Sequence, residues 1–470
     1  MTGNGQRFTF LVKGLRLLEV LHIYHTNDLH SHFEHWPRIH DLVTERRRWH
    51  EQEGDEVLLF DIGDHMDRWH PLSDATRGKG NTELLNQAGY DAVTIGNNEG
   101  ITMPYEDLDS MYEKKQFKVL IANLYRKDGT RPVWAQPYET YITKSGTRIG
   151  VIGLTANFST FYDMLGWKVS DPMEELASCV ASLRKETDLI ILLSHLGINE
   201  DEIIGEKYPE IDLILGGHTH HILHEGKKAG NALLGAAGKY GQFTGHVMIE
   251  IEQETKEIRS KKAQLYDMNE WDAAERESEQ IESYYQRGKD LLSSPILKLP
   301  QKLAASSFED SPLADLLCRT LREWCEADCA FLNAGLLLHS LEQGPLTEYD
   351  LLSVCPHPIN PCTIQLTGAE LKEVLLQTKD EKWPHLQIKG LGFRGTVMGR
   401  FVYDCVEFSD QKILIGHKPL EPKKLYTLAI PDMFTFGRFF PEIYRSKHKT
   451  YFLPEFLRDL LKWKILQLYN

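Results

Sequence analysis

The segment LILGGHTH (213–220) decides how this chain is read. A short apolar run, LILG, breaks at a glycine pair into His218-Thr219-His220. Such a run, bounded by glycine, fits a strand buried on both faces. Open α/β sheets bind ligands where their strands finish, so the two imidazoles stand where a site belongs. The same grammar recurs upstream. VLHIYHTN (20–27) leads to Asp28-Leu29-His30, VLLFDIG (57–63) to Asp64, AVTIG (92–96) to Asn97, and LIILLS (189–194) to His195. Together these ends offer four imidazoles, two carboxylates and one amide oxygen. Mixed nitrogen and oxygen ligation suits Mn, Fe, Zn or Co rather than a thiolate-selective metal. Seven donors exceed what one open catalytic ion takes. They suit two divalent ions about 3.5–4 Å apart that share a carboxylate, the arrangement used for in-line displacement at phosphorus. Asp-x-His and His-x-His would each set two donors on one side of an extended segment. The glycines before Asp64, Asn97 and His218 would let the backbone turn without a Cβ clash.

Between the apolar runs lie amphipathic stretches, among them Arg38 to His50 and Met173 to Lys185. Strand–helix alternation of this kind reads as α/β. ALLGAAG (232–238) and HVMIEIE (246–252) have no helix between them and read as a closing antiparallel portion. The composition then shifts. Residues 267–290 are highly charged and read as a solvated helix joining two domains. The reading divides the chain into a catalytic domain (1–265), a charged connector (266–295) and a second domain (296–470). Helices are expected near 311–326, 368–378 and 454–467, and strands near 400–408 and 424–430.

The chain has 470 residues and a formal charge of −15. Nucleic-acid polymers are held by a surplus of Lys and Arg, so no such partner is expected. Small anionic substrates remain open, because bound cations reverse the local field. The seven cysteines form no regular framework; Cys318, Cys325 and Cys329 are expected to be buried. The N-terminal segment has no long apolar core or small-residue cleavage site, and no run of about 18 apolar residues occurs. The expectation is a cytoplasmic protein without a membrane span.

The blocks DLHSHFE (28–34), GD (63–64), GNNE (96–99), SHLG (194–197) and GGHTH (216–220) resemble the signature of the calcineurin-like metallophosphoesterases. Each block alone could be a cap or a turn; their order carries the resemblance. With a second domain after them, they are similar to the 5′-nucleotidase, UDP-sugar hydrolase and 2′,3′-cyclic phosphodiesterase family. The resemblance implies a four-layer α/β/β/α sandwich followed by a smaller α/β domain. It implies that Asp28, His30 and His220 hold one ion, that Asn97, His195 and His218 hold the other, and that Asp64 bridges them. A hydroxide on the ions would attack phosphorus.

The chain also departs from the family's pattern. GNNE stands where Gly-Asn-His-Glu is usual, so Asn98 replaces a histidine that helps protonate the leaving oxygen, and Ile101 replaces the Asp that orients it. Asn98 can still donate a neutral hydrogen bond to a phosphoryl oxygen. His32 or His65 could stand in for the missing acid. In the second half, Leu337 stands where an Arg is usual, and His357 where the first stacking Phe is usual. Asn333, His357, Phe393, Arg394, Phe436 and Arg438 are the candidate substrate contacts, with Arg394 and Arg438 for anions. The expected activity is hydrolysis of a phosphate ester of a nucleotide or related small molecule. The alternatives are a phosphodiesterase acting on cyclic or linear nucleotides, and a catalytically weak protein that binds metal and nucleotide.

Overall fold

The computed structural model describes residues 18–409 and 412–469. The first 17 residues, on which the expected lack of a cleaved leader rests, lie outside the described residues. Residues 18–267 build two facing sheets. One has the strand order Ile258–Asp267, Phe243–Glu252, Leu18–Thr26, Glu56–Asp61, Ala92–Val93, Lys118–Leu120, Ala135–Gln136. The other runs Lys227–Ala229, Ala232–Gly235, Leu213–Gly216, Leu189–His195, Arg148–Thr155, Tyr138–Ile142.

Side-chain alternation explains the layering. Leu21, Ile23, Phe60, Ile191, Leu193 and Leu215 meet between the sheets. On the opposite face of the first sheet, Tyr24, Leu59 and Val93 pack with Ile39 and Leu42 of the helix Trp36–Glu53. On the opposite face of the second, Ile190, Leu192 and Ile214 pack with residues of the helices Pro172–Leu183 and Ile198–Lys207. The result is the expected helix–sheet–sheet–helix sandwich. Burying each such aliphatic side chain stabilises the fold by about 1.5–3 kcal/mol.

One expectation is corrected. Ala232–Gly235 does not close the fold in antiparallel fashion: it pairs parallel with Leu213–Gly216 and antiparallel only with the edge strand Lys227–Ala229. The crossover runs through a loop and that edge strand, and so leaves no helical period to read. Phe243–Glu252 does run antiparallel, to both Leu18–Thr26 and Ile258–Asp267. The charged connector is a helix, Glu277–Leu292, as expected; it is largely solvated, with one face against the first domain. Arg38 grips Glu277 with two hydrogen bonds, of 2.7 and 2.8 Å. At Gly288 a Cβ would come within 2.1 Å of the Leu72 backbone nitrogen. Glycine therefore does the packing here that apolar side chains do elsewhere.

The second domain is built on a five-stranded sheet ordered Phe401–Asp404, Cys329–Asn333, Leu425–Pro431, Pro361–Thr367, Lys449–Tyr451. The helices Pro312–Trp324, Gly368–Gln377 and Leu457–Tyr469 contribute to its core. Cys318, Cys325 and Cys329 are buried, but Cys329 opens a strand instead of extending the helix. Among the described residues, no helix is long and apolar enough to cross a membrane.

Candidate metal centre

The seven donors converge at the carboxyl ends of the strands of both sheets. His30 Nε2 lies 3.8 Å from Asp28 Oδ1, 3.7 Å from Asp64 Oδ2 and 3.2 Å from His220 Nε2. His220 Nε2 lies 3.4 Å from Asp28 Oδ1. On the other side, His195 Nε2 faces the same Asp64 Oδ2 at 3.5 Å, and His218 Nδ1 meets Asn97 Oδ1 at 2.8 Å. Asp28, His30 and His220 form one group of possible ligands; Asp28, Asp64 and His195 form a second. Donors about 2.0–2.2 Å from an ion stand at separations of this order.

The turns that achieve this are not extended. Asp28, His30, Asp64, His218 and His220 all adopt left-handed backbone, with φ between 50° and 70°. Non-glycine residues rarely do so, and such conformations cluster at functional sites. This corrects the extended Asp-x-His and His-x-His reading: tight turns, not strand alternation, aim these pairs. The glycines also differ in role. Gly63 turns, with φ +86°, whereas Gly96 is extended and admits Asp64, whose Oδ1 a Cβ would meet at 2.0 Å.

Hydrogen bonds fix which nitrogen faces inward. His195 Nδ1 donates to the Ile62 carbonyl at 2.7 Å. Its Nε2 is buried and has no hydrogen-bond partner among the described residues. An orphaned imidazole lone pair beside a buried carboxylate is what a metal cation satisfies, so the residues fit the metal that the donor set implies. Burial works against a charged His195, but the Asp64 and Asp28 carboxylates outweigh it and raise its pKa to about 10. In the same way burial opposes the Asp64 charge, while His195 and His30 hold its carboxyl far below the usual range. A proton on His195 thus stands where a cation would, and a bound metal would displace it.

Three residues that the sequence reading passed over complete the frame. Asp67, fully buried, lies 3.4 Å from His30 Nδ1. Because a carboxylate only accepts, it draws the Nδ1 proton and leaves Nε2 for the cluster. Glu99 accepts backbone N–H bonds from Asp64, Met66 and Gly96 at 2.8–3.0 Å. Asn27 donates to Asp28 Oδ2 at 2.7 Å. Asp67 and Glu99 stood three positions beyond Asp64 and Gly96, and polar residues at that offset from a strand end were the available signal.

The structure also places the other candidate residues. The Asn98 amide, expected to donate to a phosphoryl oxygen, donates to Asp64 Oδ2 at 2.8 Å and lies 3.2 Å from His30 Nδ1, so it also orients Asp64. His32 sits on the rim, packed on Tyr240 and Trp69 with ring centroids 3.9 and 4.8 Å away. His65 points into the helix-side core against Trp36, and burial lowers its pKa to about 3. His65 is thus turned away from the donors, while His32 stays at the rim of the centre. In the second domain, His357 and Phe393 are buried and stack on each other, 4.9 Å apart and 2° from parallel. His357 Nδ1 accepts the Arg394 backbone N–H, and its Nε2 donates to the Leu336 carbonyl. This pair braces a loop and offers no open face to a base. Asn333 is buried and donates to the Met398 carbonyl. Arg438 is exposed and lies over Tyr444. Phe436 is 40% exposed, packs against Tyr451 and reaches Phe161 of the first domain. Arg394 also crosses the domain boundary, to hydrogen-bond Asp67.

A two-sheet sandwich with nitrogen and oxygen donors at its strand ends defines the class of metal-dependent phosphoesterases. The calcineurin-like phosphoesterase model matches residues 21–221, and the 5′-nucleotidase C-terminal domain matches residues 295–438. The uncharacterized metallophosphoesterase YunD of Bacillus subtilis is 44% identical over 460 residues, covering 96% of this chain and 100% of that protein. A 5′-nucleotidase of Vibrio cholerae is 25% identical over 479 residues, covering 88% of this chain and 84% of that protein. A putative 5′-nucleotidase from Staphylococcus aureus superposes with a TM-score of 0.68 at 16% identity, covering 96% of this chain and 97% of that one. The chain belongs to the calcineurin-like phosphoesterases, in the two-domain form that carries a 5′-nucleotidase C-terminal domain.

Proposed function

We propose that this protein hydrolyses a phosphate ester of a nucleotide or related small molecule at a centre of two divalent ions. Asp28, His30 and His220 would hold one ion, Asn97, His195 and His218 the other, with Asp64 between them. The observation that carries the proposal is that His30 and His195 approach one oxygen, Asp64 Oδ2, from two sides at 3.7 and 3.5 Å. When bound, the ions supply Lewis acidity and lower the pKa of water toward neutrality. The chain's own part is to fix tautomers, through Ile62 and Asp67, and to hold Asp64 through Asn98 and Glu99.

Asn98 bears no dissociable proton at neutral pH, and its amide is already engaged by Asp64. General acid catalysis is worth about 10²–10⁴-fold. The reading therefore favours leaving groups that depart as stable anions, such as an aryl oxide or the phosphate of a diphosphate. The test is protein reconstituted with Mn, Zn, Fe or Co and assayed on an aryl phosphate, nucleoside monophosphates, nucleotide sugars and cyclic nucleotides. Turnover that falls as the leaving-group pKa rises supports the reading. Metal-loaded protein that turns over none of them would make it a binding protein instead.

A further inference from the structure

We propose that His22, His50 and His246 form a second, structural transition-metal site on the helix-covered face of the first sheet. His22 lies on the strand Leu18–Thr26 and His246 on its antiparallel neighbour Phe243–Glu252, where Tyr24 pairs with His246. His50 comes from the last turn of the helix Trp36–Glu53. All three are buried, at 5%, 4% and 7% exposure. Three imidazoles against the inner face of a sheet need a physical reason, since apolar residues fill such positions by default.

The geometry points to a shared ion. One ring nitrogen of each histidine lies within 4.8 Å of the others. His22 Nδ1 and His246 Nε2 are 2.9 Å apart; the His22 and His50 rings stack at 3.5 Å, so one of them must turn for both in-plane lone pairs to meet an ion. An ion with bonds of about 2.0–2.1 Å needs donors roughly 3–3.5 Å apart, so the cluster must tighten by about an ångström at its widest. A carboxylate stands at its edge. Asp55 Oδ2 is 3.4 Å from His22 Nε2 and 4.0 Å from His50 Nδ1, and it can accept the His22 Nε2 proton so that Nδ1 is left for the ion. Its side chain is 30% exposed and gives a way in from solvent.

The surrounding groups can set the tautomers that ligation needs. The Tyr24 hydroxyl, 2.9 Å from His50 Nε2, can accept its proton and leave Nδ1 free. The Gln264 amide lies at His246 Nδ1 (3.0 Å) and the Tyr266 hydroxyl (2.9 Å). Turned oxygen-inward, it accepts from both and frees His246 Nε2. Burial keeps all three imidazoles neutral, so protons do not compete for the lone pairs near pH 7. Arg46, over Tyr266 and Trp271, adds one positive charge nearby, which Asp55 offsets. A set of three imidazoles suits Zn, Co, Ni or Cu and not Mg or Ca. The site lies on the order of 15 Å from Asp28, at the strand rise of about 3.3 Å per residue. It does not depend on the phosphoesterase reading.

The test compares the full chain with the His50→Gln/His246→Asn variant, each saturated with zinc and freed of excess. Elemental analysis should give one zinc per chain fewer in the variant, with the wild-type far-UV circular dichroism retained. Equal zinc content would overturn the proposal, because the four groups would then be a plain hydrogen-bonded relay. Zinc-edge anomalous diffraction from wild-type crystals decides the matter even if the variant does not fold. A peak among the three rings is expected, and its absence at saturating zinc overturns the site.

Discussion

Asp64 shows how much a single carboxylate is asked to do. It faces His30 and His195, accepts the Asn98 amide and backbone N–H, and is admitted by the missing Cβ of Gly96. Asp64→Ala should therefore lose bound metal and lower turnover by at least about 10³-fold, the scale of removing a main electrostatic stabiliser; elemental analysis beside an aryl phosphate assay checks both. Gly96→Ala should fold less stably by about 1–3 kcal/mol and bind metal more weakly, because its methyl would meet Asp64 Oδ1. Asn98→Ala separates two roles. If Asn98 only orients Asp64 and His30, metal affinity falls about 10–100-fold while the ratio of rates on aryl and alkyl phosphates stays put. A change in that ratio would mean the amide acts on the substrate. At this scale the metal donors were legible, because each stands just past an apolar run. The roles of Asn98, His357 and Phe393 were not. Whether a polar or aromatic side chain faces a ligand or braces a loop is set by contacts distant in sequence, such as Asn98 with Asp64 and His357 with Leu336.

The strands themselves were readable because burial on both faces leaves unbroken apolar runs, as in LIILL and LILG. The turns after them were not, since Asp and His are enriched in left-handed backbone but adopt it too seldom for Asp28 or His218 to announce it. The strand Leu18–Thr26 carries a further consequence. His22, His246 across the strand pair and His50 of the covering helix are held neutral mainly by burial, with His50 lowered to about 4 and His246 to about 3. Unfolding returns them to their ordinary value near 6.5. The unfolded chain then binds more protons, so this contribution to stability is full above about pH 6.5 and is lost as pH falls toward 4. In the presence of chelator, the urea midpoint should drop from pH 7 to pH 5. The drop should be smaller in the His50→Gln/His246→Asn protein, and equal slopes would show that these rings do not govern it.

Across the whole molecule, the two domains meet at charged and aromatic contacts more than at an apolar core. Arg394 of the second domain hydrogen-bonds Asp67, which also positions His30. Arg394→Met would leave a fully buried carboxylate without its guanidinium and should cost about 3–5 kcal/mol, read as a lower melting temperature. Asp67→Asn in the same chain should recover part of that loss; no recovery would show that the pair is not what Arg394 contributes. The Glu277–Leu292 helix bears on how such a molecule can articulate. It is clamped at one end by Arg38 and seated near the other by Gly288 against Leu72, so it travels with the catalytic half. Only Ser293 and Ser294 separate it from the strand Pro295–Leu299. Crystals trapping different postures should share residues 18–292 as one rigid piece, with the Arg394–Asp67, Arg458–Asp74 and Tyr285–Tyr349 contacts parting together.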